Sequence, residues 1–181
     1  WLGPAAYRPY HGDWLNRQVW REFGTCQLGN WGSHSANLGF MALKVHELWL
    51  NDPPGGARPL IRVEAKHPGI NKLSFPGWER VQWHVPARAE FPPITITWYN
   101  GAAPGAREVR ARLSADPADK ERTAWEYAGT FIVGTQGSLH TTGHSMRVRL
   151  VPEERVEGVQ RNRPDIVESS RDPEQDWAAA C

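Results

Sequence analysis

The sequence has few cysteines, no long apolar run and no excess of charge of either sign. Two cysteines in 181 residues cannot build the disulfide framework of a small secreted domain, and free thiols fit an intracellular protein. No apolar stretch approaches the roughly 18 residues that a membrane-spanning helix needs. The 21 basic and 20 acidic residues nearly cancel and form no long run, so the concentrated basic face of a nucleic-acid-binding protein is missing.

A dinucleotide-binding motif is also missing. No G-x-G-x-x-G stretch follows an apolar strand, so the chain alone has no recognisable nucleotide site. The chain starts at Trp1 rather than Met, no signal-peptide pattern follows, and a helical pattern is cut short at Cys181. We therefore expect a piece of a longer protein that would not catalyse a reaction by itself.

Tryptophan, in contrast, is abundant, with ten residues in the chain. Buried indole rings supply a large apolar area for packing helices and sheets. Exposed indole rings are flat surfaces on which sugars can stack. The composition leaves both interpretations open.

A glycine-rich stretch from Gly24 leads into a helical pattern. Apolar residues then recur at three- and four-residue spacing: Leu38, Met41, Ala42 and Val45. We place the helix start near Gly29 or Asn30 and its end at the turn-forming residues 51–56. A short helix is also expected within residues 15–23.

Three later segments alternate apolar and polar residues with the period of a strand: 59–67, 80–85 and 93–99. Each is expected to bury one face in an antiparallel sheet. Residues 129–142 predict a hairpin that turns between Gly134 and Gly137, and residues 146–151 predict a further strand. This order is typical of an α+β fold with a mainly antiparallel sheet.

The chain divides into two parts by composition. Residues 1–151 hold the predicted helix and strands, with residues 107–122 as a charged surface excursion. Residues 152–181 are predicted to form a polar strap over the surface, or a flexible tail, followed by the start of a C-terminal helix, because 152–172 are poor in large apolar side chains.

Asn30 and His34 stand four residues apart at the predicted helix start, and hence on one face. Unpaired N–H groups and the helix dipole would create a positive potential there, which favours a neutral imidazole. A neutral histidine could take a proton from a hydroxyl whose carbon loses a hydride. Gly24, Gly29 and Gly32 would let backbone or ligand approach closely. A capped helix whose polar first turn faces water has the same pattern.

Two further histidines, His140 and His144, have the spacing of metal-binding pairs on helices. They follow a hairpin strand and flank Gly143, and neither a cysteine nor a carboxylate is near in sequence, so we predict no metal site. Cys26 would need a base and an electropositive site to act as a nucleophile, and a small buried packing residue is the simpler interpretation.

Four blocks of the sequence carry a family resemblance. They occur in this order: "WLGPAAYRPYH", "FGTCQLGNWGSHSANLGFMALK", "FPPITITWYNG" and "GTFIVGTQGSL". Together they closely resemble the C-terminal domain of bacterial oxidoreductases of the Gfo/Idh/MocA family, and the resemblance covers nearly all of residues 1–151.

The resemblance implies an N-terminal Rossmann domain that holds NAD or NADP, followed by this α/β domain. Its open sheet would line the substrate pocket on one side and commonly form a subunit interface on the other. The implied substrates are sugars, cyclitols and related polyols. Some relatives instead cleave glycosides through transient oxidation. Family members are cytoplasmic or exported, so the compartment stays open.

The resemblance also assigns site residues. A lysine of the first domain and an Asp-x-x-x-His pair of the second serve proton transfer in the family. His34 matches that histidine, whereas Asn30 stands at the aspartate position and cannot take up a proton. Arg8, Tyr10 and His11 match a loop that approaches the pocket, and they would either contact substrate hydroxyls or pack on the sheet.

Two further expectations complete this interpretation. Trp31 would either stack on a sugar ring or belong to the core. A sheet covered by helices on one face would leave an apolar face that needs burial, so we expect a homodimer or homotetramer. The alternative function is a non-catalytic carbohydrate-binding or assembly module, which Asn30 and the many tryptophans favour.

Overall fold

The computed structural model describes residues 3, 5–50, 59–88, 90–113, 128–144, 148–151 and 173–181. The turn predicted at 51–56, the later part of the charged excursion and the polar strap at 152–172 lie outside these residues.

The described residues form six strands in two sheets. The first sheet pairs β1 (Arg62–Lys66), β2 (Glu79–Val85) and β3 (Ile94–Asn100), all antiparallel and in that spatial order. The second sheet pairs β4 (Gly129–Val133), β5 (Ser138–Thr142) and β6 (Val148–Val151) in the same way. The α+β class and the antiparallel pairing are confirmed. The described residues form two three-stranded sheets rather than one open sheet.

The turns between strands follow the predicted positions. The hairpin of β4 and β5 closes where the Gly134 N–H donates to the Gly137 carbonyl at 2.8 Å. The register then places Phe131 opposite His140, and His140 opposite Arg149 on β6. This register decides which side chains surround the buried histidine.

The first sheet has one apolar face and one polar face. Val81, Trp83 and Val85 of β2 alternate with Arg80, Gln82 and His84, and the register extends both sets onto β3. On the polar face, the His84 ring lies 3.5 Å from the Glu64 carboxylate and 3.3 Å from the Thr95 hydroxyl. The expectation of a second, apolar face that needs burial is therefore wrong for this sheet.

β1 departs from the prediction in another way. Its residues alternate as expected, but all five are exposed, and even Val63 on the apolar side is 54 % exposed. Alternation fixes which side chains share a face of the strand. It does not decide whether anything covers that face.

The main helix begins earlier than predicted and contains a π-helical turn. α1 (Cys26–Trp31), a π-helical turn (Gly32–Ala36) and α2 (Asn37–Ala42) follow one another without a break, and we call Cys26–Ala42 the composite helix. α1 contacts β3, whereas the π-helical turn and α2 contact β4, so the composite helix bridges the two sheets.

The composite helix ends well before the predicted turn. Lys44 adopts a left-handed conformation with φ of 48°, the Val45 N–H donates to the Phe40 carbonyl, and the Lys44 N–H donates to the Met41 carbonyl. This is a Schellman motif, which closes the last turn of a helix. The chain then forms α3 (Glu47–Leu50).

The core lies between these helices and the apolar face of the first sheet. Val45, Leu48 and Val85 are its buried centre, and partly buried hydrophobic residues pack around them: Phe40, Leu43, Ile61, Trp83, Ile94 and Ile96. Of the predicted helical stripe, Val45 is fully buried, whereas Met41 is 53 % exposed.

Three shorter helices complete the description. A 3-10 helix at Gly12–Leu15 stands in place of the helix expected within 15–23. The start of the charged excursion is α4 (Ala106–Leu113), and α5 (Pro173–Ala180) is the predicted C-terminal helical start. Among the described residues, no helix combines the length and the apolar character needed to cross a membrane.

Candidate functional site

The structure places Asn30 and His34 in the middle of the composite helix. The prediction that they occupy the first turn is wrong, because the helix begins at Cys26 and its glycine-rich front is helical. The space left by Gly29 faces the side chain of Thr25, and that left by Gly24 faces the Arg17 carbonyl. These glycines therefore accommodate the chain's own atoms.

His34 lies inside the π-helical turn. Such turns insert an extra residue into a helix and are frequent at functional sites. Asn30 is half-buried at the preceding turn, where its carbonyl accepts a hydrogen bond of 3.0 Å from the Ser33 hydroxyl. The wider π-helical turn changes the angular offset between Asn30 and His34 from that of a regular α-helix.

Three aromatic rings meet at this turn, and we call Trp31, His34 and His144 the three-ring cluster. The ring centres of His34 and His144 are 5.1 Å apart, and the Trp31 ring lies 5.8 Å from His34 and 5.0 Å from His144. Both histidines are exposed, and Trp31 is half-buried. The cluster thus offers two imidazoles and part of an indole face to solvent.

The loop after β5 is fixed to the composite helix next to this cluster. The buried Ser35 hydroxyl donates to the Gly143 carbonyl at 2.8 Å, and the Thr130 hydroxyl of β4 donates to the Ser35 carbonyl. A Cβ atom on Gly143 would lie 3.1 Å from Trp31 and 2.9 Å from Ala128. Glycine at 143 therefore lets the loop approach closely enough to bring the ring centre of His144 within 5.0 Å of that of Trp31.

His140 has a different environment. It is 5 % exposed, packs edge-on against Phe131 with ring centres 4.3 Å apart, and lies 3.1 Å from the Ser138 hydroxyl. Burial lowers the pKa of His140, and the positive charge of Arg149 lowers it further. The ring of His144 instead contacts the ring of His34. The two histidines that lie together in the structure are therefore not the two that have metal-ligand spacing in the sequence.

The described residues contain no group of three or more histidine, cysteine, aspartate or glutamate side chains arranged for a metal ion. Cys26 is half-buried, and its thiol lies 3.8 Å from the Glu79 carboxylate, which also accepts a hydrogen bond of 3.2 Å from the Trp98 indole. These contacts join the start of α1 to β2 and β3.

Arg8, Tyr10 and His11 lie in the segment before the 3-10 helix. The Arg8 guanidinium is 2.7 Å from the Glu22 carboxylate, and His11 accepts a hydrogen bond from the Asp13 N–H and so caps that helix. Tyr10 is 80 % exposed. In the described part of the chain, none of these three residues forms a hydrogen bond, ion pair or ring contact with the three-ring cluster.

A shallow groove of about 300 Å³ opens at the end of the first sheet. Its polar lining comes from Arg62, His84 and Thr95, and Leu60 and Pro93 contribute apolar surface. It contains none of the site residues predicted from the sequence. We therefore place the candidate site at the three-ring cluster.

Sequence reasoning identified His34 and Trp31 but missed His144 as their neighbour. The signal available was Gly143, directly before His144, because a glycine at the end of a strand often marks a close backbone approach. That signal does not reveal which element is approached. No protein-family model and no curated protein matches the chain, so its function is inferred from this geometry together with the four sequence blocks.

Proposed function

We propose that this chain is the substrate-binding and assembly domain of an NAD(P)-dependent oxidoreductase of the Gfo/Idh/MocA type. Its substrate would be a sugar, a cyclitol or a related polyol. The observation that carries the proposal is the exposed imidazole of His34, held in a π-helical turn beside the Trp31 ring. The resemblance of the four sequence blocks supplies the reaction class.

Each residue of the site has a chemical role in this proposal. His34 accepts the proton of the hydroxyl whose carbon loses a hydride, and returns it when the reaction runs in reverse. Asn30 can hydrogen-bond a hydroxyl or orient the imidazole, but it cannot take up a proton. Trp31 offers a flat apolar surface to the sugar ring.

The nicotinamide would supply the hydride acceptor or donor. The sequence has no G-x-G-x-x-G motif, so the proposal assigns the cofactor to an N-terminal Rossmann domain of the full-length protein. The contribution of this chain is to bind the polyol, orient it and handle its proton.

The test is turnover of a polyol panel by full-length protein with NAD⁺ or NADP⁺, followed by nicotinamide absorbance. His34→Ala should lower kcat by about 10²- to 10⁴-fold, the usual contribution of a general base, and change KM little. His67→Ala is the matched control, because His67 is exposed and lies outside the site. Unchanged kcat in His34→Ala would refute the role of His34.

A non-catalytic carbohydrate-binding module is the second candidate, and Asn30 is the observation that favours it. An amide in place of an acid retains hydrogen bonding without proton transfer. Calorimetry of full-length protein separates the two functions. Tight binding of NAD(P)H supports the oxidoreductase, whereas sugar binding without any nicotinamide binding supports the module.

The assembly part of the proposal concerns the polar face of the first sheet. Arg62, Glu64 and His84 are charged or titratable side chains that lie close together on this face. Interfaces outside their cores are commonly polar and hydrated, so a homodimer or homotetramer through this face does not require an apolar surface.

A further inference from the structure

The two exposed histidines of the three-ring cluster have a separation that suits a shared ligand. We propose that His34 and His144 together bind one divalent transition-metal cation, with Zn²⁺ as the representative ion. The inference rests on the two imidazoles and on what holds them. It does not require the proposed oxidoreductase function, and a cation bound to His34 would compete with the role of that imidazole as a proton acceptor.

The distance between the rings is the first argument. A metal ion about 2.1 Å from an imidazole nitrogen lies about 3.2 Å from the ring centre, so two imidazoles on a tetrahedral ion have centres about 5.2 Å apart. The observed separation of His34 and His144 is 5.1 Å. The ring planes stand at 60° to each other, and a nitrogen of each ring must turn towards a common point to bind the cation.

The second argument is that both ring-bearing segments are fixed. Ser35, the residue after His34, donates to the carbonyl of Gly143, the residue before His144. The Thr130 hydroxyl in turn donates to the Ser35 carbonyl. The two imidazoles therefore sit on a helix and a loop that are already joined, which reduces the entropy lost when a ligand orders them.

The chemistry of the ligands limits the class of cation. Two imidazoles suit Zn²⁺, Cu²⁺ and Ni²⁺, whereas Mg²⁺ and Ca²⁺ prefer oxygen ligands. Among the described residues, no third histidine, cysteine or carboxylate forms a group of three with them. Because both rings are exposed, a cation can reach them from solvent.

An edge-to-face contact between neutral rings would have a similar separation. Phenylalanine separates the two explanations, since it keeps the aromatic contact and removes the nitrogen ligands. Zn²⁺ titration of the tag-free chain by calorimetry should give one site per chain. His34→Phe and His144→Phe should each weaken that site at least about tenfold, because even the loss of a ligand's supporting partner costs this much.

The controls locate the site. His67→Phe should bind Zn²⁺ like the unsubstituted chain, and so should Cys26→Ser and Cys181→Ser, which remove the two thiols. Absence of Zn²⁺ binding would overturn the proposal, as would binding that either cysteine variant abolishes or that both His→Phe variants retain. If circular dichroism shows that a phenylalanine variant has not folded, His34→Gln and His144→Gln replace it in the same comparison.

Discussion

Arg88 lies in the segment that joins β2 to β3, and its guanidinium is buried against the end of the composite helix. It is 5 % exposed, and its Nε donates to the Leu43 carbonyl at 2.7 Å. Its other nitrogens donate to the carbonyls of Leu43, Pro86 and Pro92. Burial lowers the pKa of Arg88, and the nearby charge of Glu47 opposes this shift.

Arg88→Met should lower the free energy of unfolding by about 3 kcal/mol, because hydrogen bonds from a charged donor to three partly buried backbone carbonyl groups are lost. The stability of Arg88→Lys should lie between that of Arg88→Met and that of the unsubstituted protein, since an ammonium group keeps the charge but cannot reproduce the forked geometry of the guanidinium. Urea denaturation measures both. Arg107→Met on α4 is the control, because Arg107 is exposed and its substitution should change stability by less than about 0.5 kcal/mol. Equal stability of Arg88→Met and Arg107→Met would contradict the structural role.

The buried His140 predicts a pH dependence of stability. Its folded-state pKa lies below the usual 6.5 because of burial and, secondly, Arg149. Between these two pKa values the unfolded chain binds the proton more readily, so protonation favours unfolding. The contribution of His140 is therefore present above its unfolded-state pKa and is lost as the pH falls towards the folded-state value.

His140→Gln should flatten this dependence, because glutamine does not titrate and can keep a polar contact with Ser138. The measurement is the free energy of unfolding of both proteins between about pH 7.5 and pH 5. His67→Gln removes an exposed histidine and should leave the slope as it is. A slope that is the same in all three proteins would show that His140 does not carry the effect.

At the residue scale, the sequence pointed to His34 and Trp31 because they belong to one helical segment. The position of His144 could not be predicted from the sequence. It depends on the hydrogen bond of Ser35 to Gly143, which is distant in sequence, and on that of Thr130 to Ser35. The chemistry of a residue can be read from its type, but its neighbours depend on the fold.

At the scale of elements, the composite helix shows why its boundaries were misplaced. Gly29 and Gly32 are typical of a loop, yet they lie within α1 and the π-helical turn. The helix ends in a Schellman motif whose left-handed position usually holds glycine and here holds Lys44. The sequence therefore lacked the usual signal at the C-terminal end, and at the other end Thr25 holds the N-cap position without a side-chain capping hydrogen bond. The alternating strands were placed within a few residues.

The contact between the composite helix and the second sheet can be tested at Ser35. Ser35→Ala removes a buried hydroxyl that donates to Gly143 and should lower the free energy of unfolding by about 1–2 kcal/mol. Ser33→Ala is the matched control on the same turn, because Ser33 is exposed and bonds only to the nearby Asn30 carbonyl among its described contacts. Equal stability of the two variants by urea denaturation would argue against the bridge.

At the scale of the whole molecule, the fold class was predictable and the arrangement was not. Alternation identified the strands of the first sheet, and the turn glycines identified the hairpin of the second, because both signals are local. Nothing in that pattern says whether β3 continues into the second sheet, and the described residues show the composite helix contacting both sheets instead.

The assembly proposal predicts a charge-sensitive interface on the polar face of the first sheet. Full-length protein should sediment as a dimer or tetramer at micromolar concentration. Glu64→Arg would place a third positive or protonatable group beside Arg62 and His84, and should shift sedimentation towards the monomer. Glu108→Arg reverses an exposed charge on α4 and should leave the assembly unchanged. A monomer at all concentrations would refute the proposal.

The exposure of β1 has a consequence for handling the protein. In the described part of the chain β1 pairs only with β2, and the N–H and C=O groups on its other side have no partner strand there. Arg62, Glu64 and Lys66 place a charge at every second position of this strand. Charges on an edge strand discourage a foreign strand from adding to it. Neutral substitutions here would be expected to promote aggregation during refolding while leaving the core intact.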